Sequence, residues 1–294
     1  MSIKTSTARM ATVATVQFEP IVGDRAHNLA AIERLARAAK AKGAEIVVLP
    51  ELADSGYSFR DGDEVAALAG PVPGGPTAET LCRLAGELGL YIVSGVAEQD
   101  GERFYNSALL CGPEGYIGKY RKLHLWNNEN RLFKKGDIGL PVFDLPFGRI
   151  GIAICYDGWF PETFRELALA GAELVCVPTN WVPMPGAESV AEPMANILHK
   201  AAAHTNGLYI ACADRIGVER GQSFIGRSFI VGPQGWPISG PASADREEIL
   251  IAKIDLSSVT ETRTLNSFNH LLSDRRADVY GNLDPTQERG TKCK

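Results

Sequence analysis

Ala41-Lys-Gly-Ala-Glu-Ile-Val-Val-Leu-Pro50 recurs further along the chain as Leu169-Ala-Gly-Ala-Glu-Leu-Val-Cys-Val-Pro178. Each copy reads as the end of a helix, a glycine that stops it, a short buried strand and a proline that closes the strand. The separation is far too long for a solenoid repeat. It suits two related halves, each a sheet covered by helices on one face. Packed sheet against sheet, such halves make an α/β fold, a four-layer α-β-β-α sandwich of two mixed sheets. Strand ends from both halves then meet at one edge. The competing reading of the same residues is a favourable helix-to-strand junction that the chain simply uses twice.

Around the first copy the pattern predicts a strand at 11–18 and an amphipathic helix at 28–42, with Leu29, Ile32, Leu35, Ala36 and Ala39 on one face. Residues 54–76, rich in Gly, Pro and Asp, read as a long loop, followed by a helix at 77–89. Segments 91–97 and 105–111 read as strands paired around the turn Gln99-Asp-Gly-Glu102, and 116–125 continues the sheet into a loop at 126–141. Around the second copy the reading is a strand at 150–154, a helix from Pro161 through Leu169, a strand at 173–177 and a helix at 191–205. Strands at 208–213, 227–232 and 249–254 complete it. One domain is expected over 11–281, between a loose tail at 1–10 and a polar tail at 282–294.

Three chemically distinct side chains fall at strand or loop ends. Glu51 follows Pro50, Lys122 lies in Tyr120-Arg-Lys-Leu-His-Leu125, and Cys155 ends the strand of Arg149-Ile-Gly-Ile-Ala-Ile-Cys-Tyr-Asp-Gly-Trp-Phe-Pro-Glu162. Asp157-Gly158 marks a turn there, and Pro161 suits the first turn of a helix, where its missing N–H costs nothing. Backbone N–H groups of such a turn would favour a thiolate or an oxyanion. A carboxylate, an ammonium and a thiol in one cleft would serve acyl transfer, with the thiol as nucleophile, a shielded glutamate as base and the lysine at the oxyanion. Singly, Glu51 reads equally as a helix cap, Lys122 as a solvated edge charge and Cys155 as a small buried hydrophobe.

The chain has 294 residues, 45% hydrophobic and 22% charged, with a net charge of −5. That is the composition of an ordinary globular protein, and the charge gives no reason to expect nucleic acid or an anionic membrane as partner. No apolar run reaches membrane-spanning length, and residues 1–10 lack the apolar core of a signal peptide. The six cysteines show no C-x-x-C spacing, which argues against zinc and against a disulfide framework, and for reduced thiols in the cytoplasm. No Gly-x-Gly-x-x-Gly opens a helix after a strand, so a dinucleotide site is not expected.

The ordered set of motifs resembles the nitrilase superfamily of carbon–nitrogen hydrolases. The set comprises Pro50-Glu51 with Gly56-Tyr57, Tyr120-Arg121-Lys122-Leu123-His124-Leu125, Glu129 with Phe133 and Gly136-Asp137, and Gly151-Ile-Ala-Ile-Cys155-Tyr-Asp with Pro161-Glu162. Asn180-Trp181 and Asp274-Arg275-Arg276 with Tyr280 close it. The resemblance spans residues 11 to about 281 and implies the four-layer sandwich reached above. It further implies Glu51 as general base, Lys122 as the oxyanion-side lysine, Cys155 as nucleophile and the Tyr156 N–H as a second oxyanion donor. Glu129 matches the family's second active-site glutamate, which positions substrate or assists proton transfer. No metal or organic cofactor is implied, and a homo-oligomer built from two-fold dimers is.

Within the superfamily, Tyr156-Asp157 resembles the amidase and carbamoylase branches, whereas nitrile-cleaving members usually carry Trp-Glu there. Gly158-Trp159-Phe160 stands where carbamoyl-amino-acid hydrolases often place a carboxylate-binding arginine. The expected function is therefore amidase: hydrolysis of a small-molecule carboxamide to acid and ammonia through a cysteine thioester. An N-carbamoyl-amide hydrolase, a nitrilase, or a catalytically silent binding scaffold are the alternatives. Tyr57, Trp126, Tyr156, Trp159, Asn180 and Trp181 are the candidate substrate-binding residues, each beside a catalytic motif.

Overall fold

A computed structural model describes residues 8–184, 186 and 192–280. In the first half β1 (Met10–Gln17) leads through α1 (Arg25–Ala41) into β2 (Ile46–Val48), followed by α2 (Gly62–Leu68) and α3 (Pro76–Leu88). The hairpin β3 (Tyr91–Asp100) and β4 (Arg103–Gly112) comes next, then β5 (Gly115–Arg121) and the single turn α4 (Glu129–Leu132). In the second half β6 (Val142–Leu145) and β7 (Gly148–Ile152) lead through a 3₁₀ turn, Cys155–Trp159, into α5 (Pro161–Leu169). Then come β8 (Leu174–Pro178), α6 (Met194–Asn206), β9 (Tyr209–Ala213) and the small hairpin β10 (Val218–Glu219) and β11 (Gln222–Ser223). Strands β12 (Phe229–Val231), β13 (Pro237–Ser239) and β14 (Glu248–Asp255) precede the short helices α7 (Val259–Thr262) and α8 (Ala277–Tyr280).

Two six-stranded mixed sheets result, in the orders β14-β1-β2-β3-β4-β5 and β13-β12-β9-β8-β7-β6. Each has a parallel trio, β1-β2-β3 or β7-β8-β9, extended by antiparallel strands on both sides. The two sequence copies occupy equivalent places down to single hydrogen bonds. Gly43 and Gly171 both adopt left-handed φ, +88° and +92°, which glycine tolerates without strain. The Glu45 N–H donates to the Thr12 carbonyl (2.8 Å) while its carboxylate accepts from the Thr12 N–H (2.7 Å). Glu173 does the same to Arg149, at 2.9 Å in both directions. The glutamate of each copy thus pins the neighbouring parallel strand, so the repeat is structural and not a chance junction.

Alternation along the strands divides the core into layers. Ala14, Val16, Val47, Ile92 and Leu109 face outward onto Ile32, Leu35 and Ala36 of α1 and Leu81 and Leu84 of α3. Their neighbours Val13, Ile46, Val48, Val93 and Ala108 face inward and meet Ile150, Ile152, Leu174 and Cys176 of the second sheet. That sheet is covered in turn by Phe164 and Leu167 of α5 and Ala203 of α6. Each fully buried aliphatic side chain contributes about 1.5–3 kcal/mol. Helix α1 begins where the Asp24 carboxylate accepts the His27 N–H at 3.0 Å.

The sequence pattern misses several short elements. The loop expected at 54–76 contains α2, capped by Asp61, whose carboxylate accepts the Glu64 N–H, and anchored by buried Val65 and Leu68. Seven residues offer too few turns for helical periodicity to stand out. The strand expected to run to residue 125 ends at Arg121, and α4 and the start of β6 interrupt or follow the loop expected at 126–141. Strands β10, β11 and β13, of two or three residues, are too short to alternate visibly. The polar tail at 282–294 and most of the tail at 1–10 lie outside the described residues. No described helix is long and apolar enough to cross a membrane.

Candidate active site

The ends of β2, β5 and β7 converge. Glu51, just past β2, Lys122, just past β5, and Glu129, the first residue of α4, are buried together. Lys122 Nζ donates to Glu51 Oε1 at 2.6 Å and to both Glu129 oxygens at 2.8 and 2.9 Å. Asn106 Nδ2 donates to the same Glu51 oxygen at 2.6 Å, and Asn180 Nδ2 to the Glu51 carbonyl at 2.9 Å. Glu51 Oε2 accepts from no described residue. The Tyr57 hydroxyl donates to Glu129 Oε1 at 2.6 Å. A buried ammonium between two carboxylates is held in place because none of the three has another ion partner among the described residues.

Cys155 stands at a sharp elbow between β7 and the 3₁₀ turn. Its φ of +46° lies in the left-handed region, a costly conformation for a residue with a side chain. Asp157, fully buried, holds the elbow in place. Its Oδ2 accepts the Ile154 N–H at 2.9 Å and the Tyr120 hydroxyl at 2.8 Å. Its Oδ1 accepts the His124 N–H at 3.1 Å and faces His124 Nδ1 at 2.7 Å. Tyr120 and His124 flank Lys122, so one carboxylate locks the cysteine loop to the lysine loop. Gly158 leaves no room beneath the turn: a Cβ there would sit 2.3 Å from the buried His199 ring. Burial pushes His199 down to about 4, so the ring is neutral near pH 7, with Nδ1 against the Ala195 carbonyl at 2.7 Å.

The electrostatics sort the four groups. Burial pushes Glu51 up, the Lys122 ammonium pulls it part of the way back, and the carboxyl settles at about 7. Burial by itself would lower Lys122, but the charges of Glu129 and Glu51 outweigh it and hold the ammonium above its ordinary value. Burial and the adjacent Glu51 charge push the Cys155 thiol well above its usual range. This runs against the thiolate expected at the turn: burial first, and the Glu51 charge second, keep the proton on the sulfur. Burial likewise raises Tyr57, which keeps its proton for Glu129.

Beside these groups lies a cavity of about 150 Å³, lined by Tyr57, Phe59, Trp126, Glu129, Phe133 and Gln222 among others. Tyr57 and Trp126, two of the candidate substrate-binding residues, are in this lining. Tyr156 packs edge-on against Trp126, with ring centroids 4.8 Å apart. Trp159 instead lines a separate groove of about 500 Å³ between α5 and α6. Trp181 is 2% exposed and packs on His199 and Phe229 in the core. Its backbone N–H, bonded to Asp214, fixes it there, so its place after Asn180 put it near the motif but not in the cavity. Asn106 went unread in the sequence; its signal is a polar residue on the face of β4 that otherwise carries Ala108 and Leu110 inward. Among the described residues no group of three or more His, Cys, Asp or Glu side chains could hold a metal ion.

The carbon–nitrogen hydrolase family matches residues 12–264. The chain is 44% identical over 271 residues to a nitrilase of Pyrococcus abyssi (strain GE5 / Orsay), covering 92% of this chain and 99% of that one. It is 36% identical over 293 residues to an N-carbamoylputrescine amidase of Solanum lycopersicum, covering 92% and 94%. Among solved structures it is similar to an amidase from Nesterenkonia sp., with a TM-score of 0.76 and 26% identity over 94% of this chain and 97% of the other. A cysteine-to-alanine variant of the Nesterenkonia sp. AN1 amidase in complex with butyramide matches at a TM-score of 0.75 and 27% identity, over 91% and 95%.

Proposed function

The chain belongs to the carbon–nitrogen hydrolase family, and within that family we propose that it is an amidase whose nucleophile is Cys155. The reaction runs in two halves. Cys155 Sγ attacks the amide carbonyl and its proton passes to Glu51, whose pKa of about 7 suits a group that must both take and return a proton near neutrality. Lys122 Nζ and the Tyr156 N–H carry the oxyanion. Glu51 returns the proton to the nitrogen, the C–N bond breaks, and ammonia leaves a thioester on Cys155. Water then adds to the thioester as Glu51 takes its proton, the C–S bond breaks, the thiol is regenerated and the acid departs. Glu129 holds Lys122 in place and, with Tyr57, faces the substrate cavity.

The observation that carries the choice of a neutral, apolar amide is the cavity lining. The described residues that line it offer aromatic rings, neutral amides and the Glu129 carboxylate, and neither lysine nor arginine is among them. A carbamoyl amino acid would bring a carboxylate with no cationic partner there, at a cost of several kcal/mol. Three arginines of the second half that could have served are engaged elsewhere: Arg215 with Glu219 at 2.7 Å, Arg220 with Glu64 at 2.6 Å and Arg227 with the Ala242 carbonyl at 3.5 Å. A small acyl chain against Tyr57, Trp126 and Phe133 gains about 25 cal/mol per Å² buried. Nitrile hydrolysis is the second reading, favoured by the 44% identity to the Pyrococcus abyssi nitrilase.

Ammonia release from butyramide, butyronitrile, N-carbamoylputrescine and an N-carbamoyl amino acid separates these readings. The expected order of kcat/KM puts butyramide first and the carbamoyl amino acid last. Butyronitrile in first place would overturn the amide reading in favour of the second.

A further inference from the structure

The second half of the chain reaches back over the first at one point that the reaction above does not use. Glu219, in the small hairpin after β9, is buried. Its Oε2 accepts the N–H of Tyr57 at 2.8 Å and the N–H of Ser58. Its Oε1 accepts Arg215 Nη1 at 2.7 Å, and Arg215 Nη2 is tied to the Pro20 carbonyl at 2.8 Å. The Arg215 guanidinium lies 4.1 Å over the Phe224 ring, and Phe224 meets the Tyr57 ring edge-on at 5.9 Å. Tyr57, Phe224, Arg215 and Glu219 therefore close a ring, three of whose members lie between Asp214 and Ile225. Gly56 is shaped to it: at φ +82°, a Cβ would sit 2.4 Å from Val22 Cα and 2.8 Å from Glu219 Oε1.

We propose that Glu219 is a positioning residue for the reaction. It fixes the backbone of Tyr57 so that the hydroxyl holds Glu129, and through Glu129 the ammonium of Lys122. The inference rests on the roles given above to Lys122 and Glu129. Two half-buried backbone N–H groups aimed at one carboxylate lose their charge-assisted partner if Glu219 is truncated. The Tyr57 ring is then free to shift, and a displacement of about 1 Å at a catalytic group costs on the order of a hundredfold in rate.

The test is a double-mutant cycle between Glu219→Ala and Tyr57→Phe. It is read once as kcat and KM for butyramide and once as the rate of Cys155 alkylation by iodoacetamide, which requires no turnover. Each single variant is expected to lower kcat roughly tenfold to a hundredfold with a smaller change in KM. The double variant should fall within about threefold of the weaker single one, because both act through the same hydroxyl. Glu219→Gln, which keeps an acceptor oxygen, should recover most of the loss. Should Glu219→Ala not fold, the cycle is built on Glu219→Asp, whose carboxylate falls one methylene short of the Tyr57 and Ser58 N–H groups, with the same expectation of non-additivity. Multiplicative losses, or a Glu219 variant of lowered melting temperature but undiminished kcat, would overturn the proposal. Wild-type enzyme inactive on butyramide would count against the amidase reading alone, since the alkylation cycle still reports on the clamp.

Discussion

At the scale of single residues, burial keeps the resting proton on the Cys155 sulfur and raises the Glu51 carboxyl to about 7, while the Lys122 ammonium stays charged between its carboxylate partners. Turnover therefore depends on Glu51 being ionised when substrate arrives. Above about pH 7 the carboxylate can accept the Cys155 proton; below it the carboxyl is already protonated and the cysteine is inert. The acid limb of kcat/KM against pH should accordingly fall near 7, and alkylation of Cys155 should follow the same curve. A limb in the ordinary carboxylate range, near 4 to 5, would remove Glu51 from the role of base. Lys122→Ala removes an oxyanion donor and should lower kcat about a hundredfold to a thousandfold with modest change in KM. A variant that kept kcat and only raised KM would make Lys122 a substrate clamp. Glu51, Lys122 and Cys155 stand out in the sequence at strand or loop ends, and Glu129 only through the ordered motifs of the family resemblance. Asn106 and Glu219 do not, because each contributes through one neighbour that only the folded chain brings within reach.

The element that matters most is the elbow between β7 and α5, and its geometry is set by Asp157 more than by the strained cysteine itself. Asp157→Ala would leave the Ile154 and His124 N–H groups and the Tyr120 hydroxyl without their buried acceptor. Unsatisfied buried donors cost about 1–3 kcal/mol each, so a loss on the order of 3 kcal/mol is expected even after partial relaxation. Urea unfolding measures it, and the same variant should lose most of its turnover, because the cysteine loop is no longer locked to the lysine loop. Unchanged kcat at lowered stability would show that the lock serves folding only. The strand-turn-helix at Cys155 was readable from small β-branched residues followed by Asp-Gly and Pro. The hydrogen bonds that aim it were not, since a sequence shows that Asp157 is a turn residue but not that Tyr120 lies opposite. Trp181 carries the same lesson: adjacency to Asn180 says nothing about which way a side chain turns once a strand has ended.

At the scale of the molecule, the duplicated helix-Gly-strand-Pro unit makes two equivalent sheets and leaves α5 and α6 on an outer face. Helix α6 is unusual in what it hides. It buries Asn196, His199 and Asn206, while Ile197 and Met194 are 40% and 47% exposed, with Leu169 of α5 at 43%. These exposed residues lie on the same two helices that line the groove of Pro161, Phe164, Leu198 and Ala202, and a second copy packing on these helices would cover that apolar surface. Light scattering at micromolar concentration should therefore give a multiple of the 31.7 kDa chain mass. Ile197→Glu should shift the protein toward monomer, whereas a monomeric wild type would refute the pairing. The two-half architecture was visible in one repeated decapeptide; the polar residues that α6 buries were not, because an amphipathic pattern does not say which polar side chains turn inward. The central claim is that Cys155 performs covalent amide hydrolysis, and one comparison tests it directly: ammonia release from butyramide by purified wild type and by folded Cys155→Ala. Steady release by the wild type with only background from the variant is the predicted result, and substantial release by Cys155→Ala would contradict the mechanism.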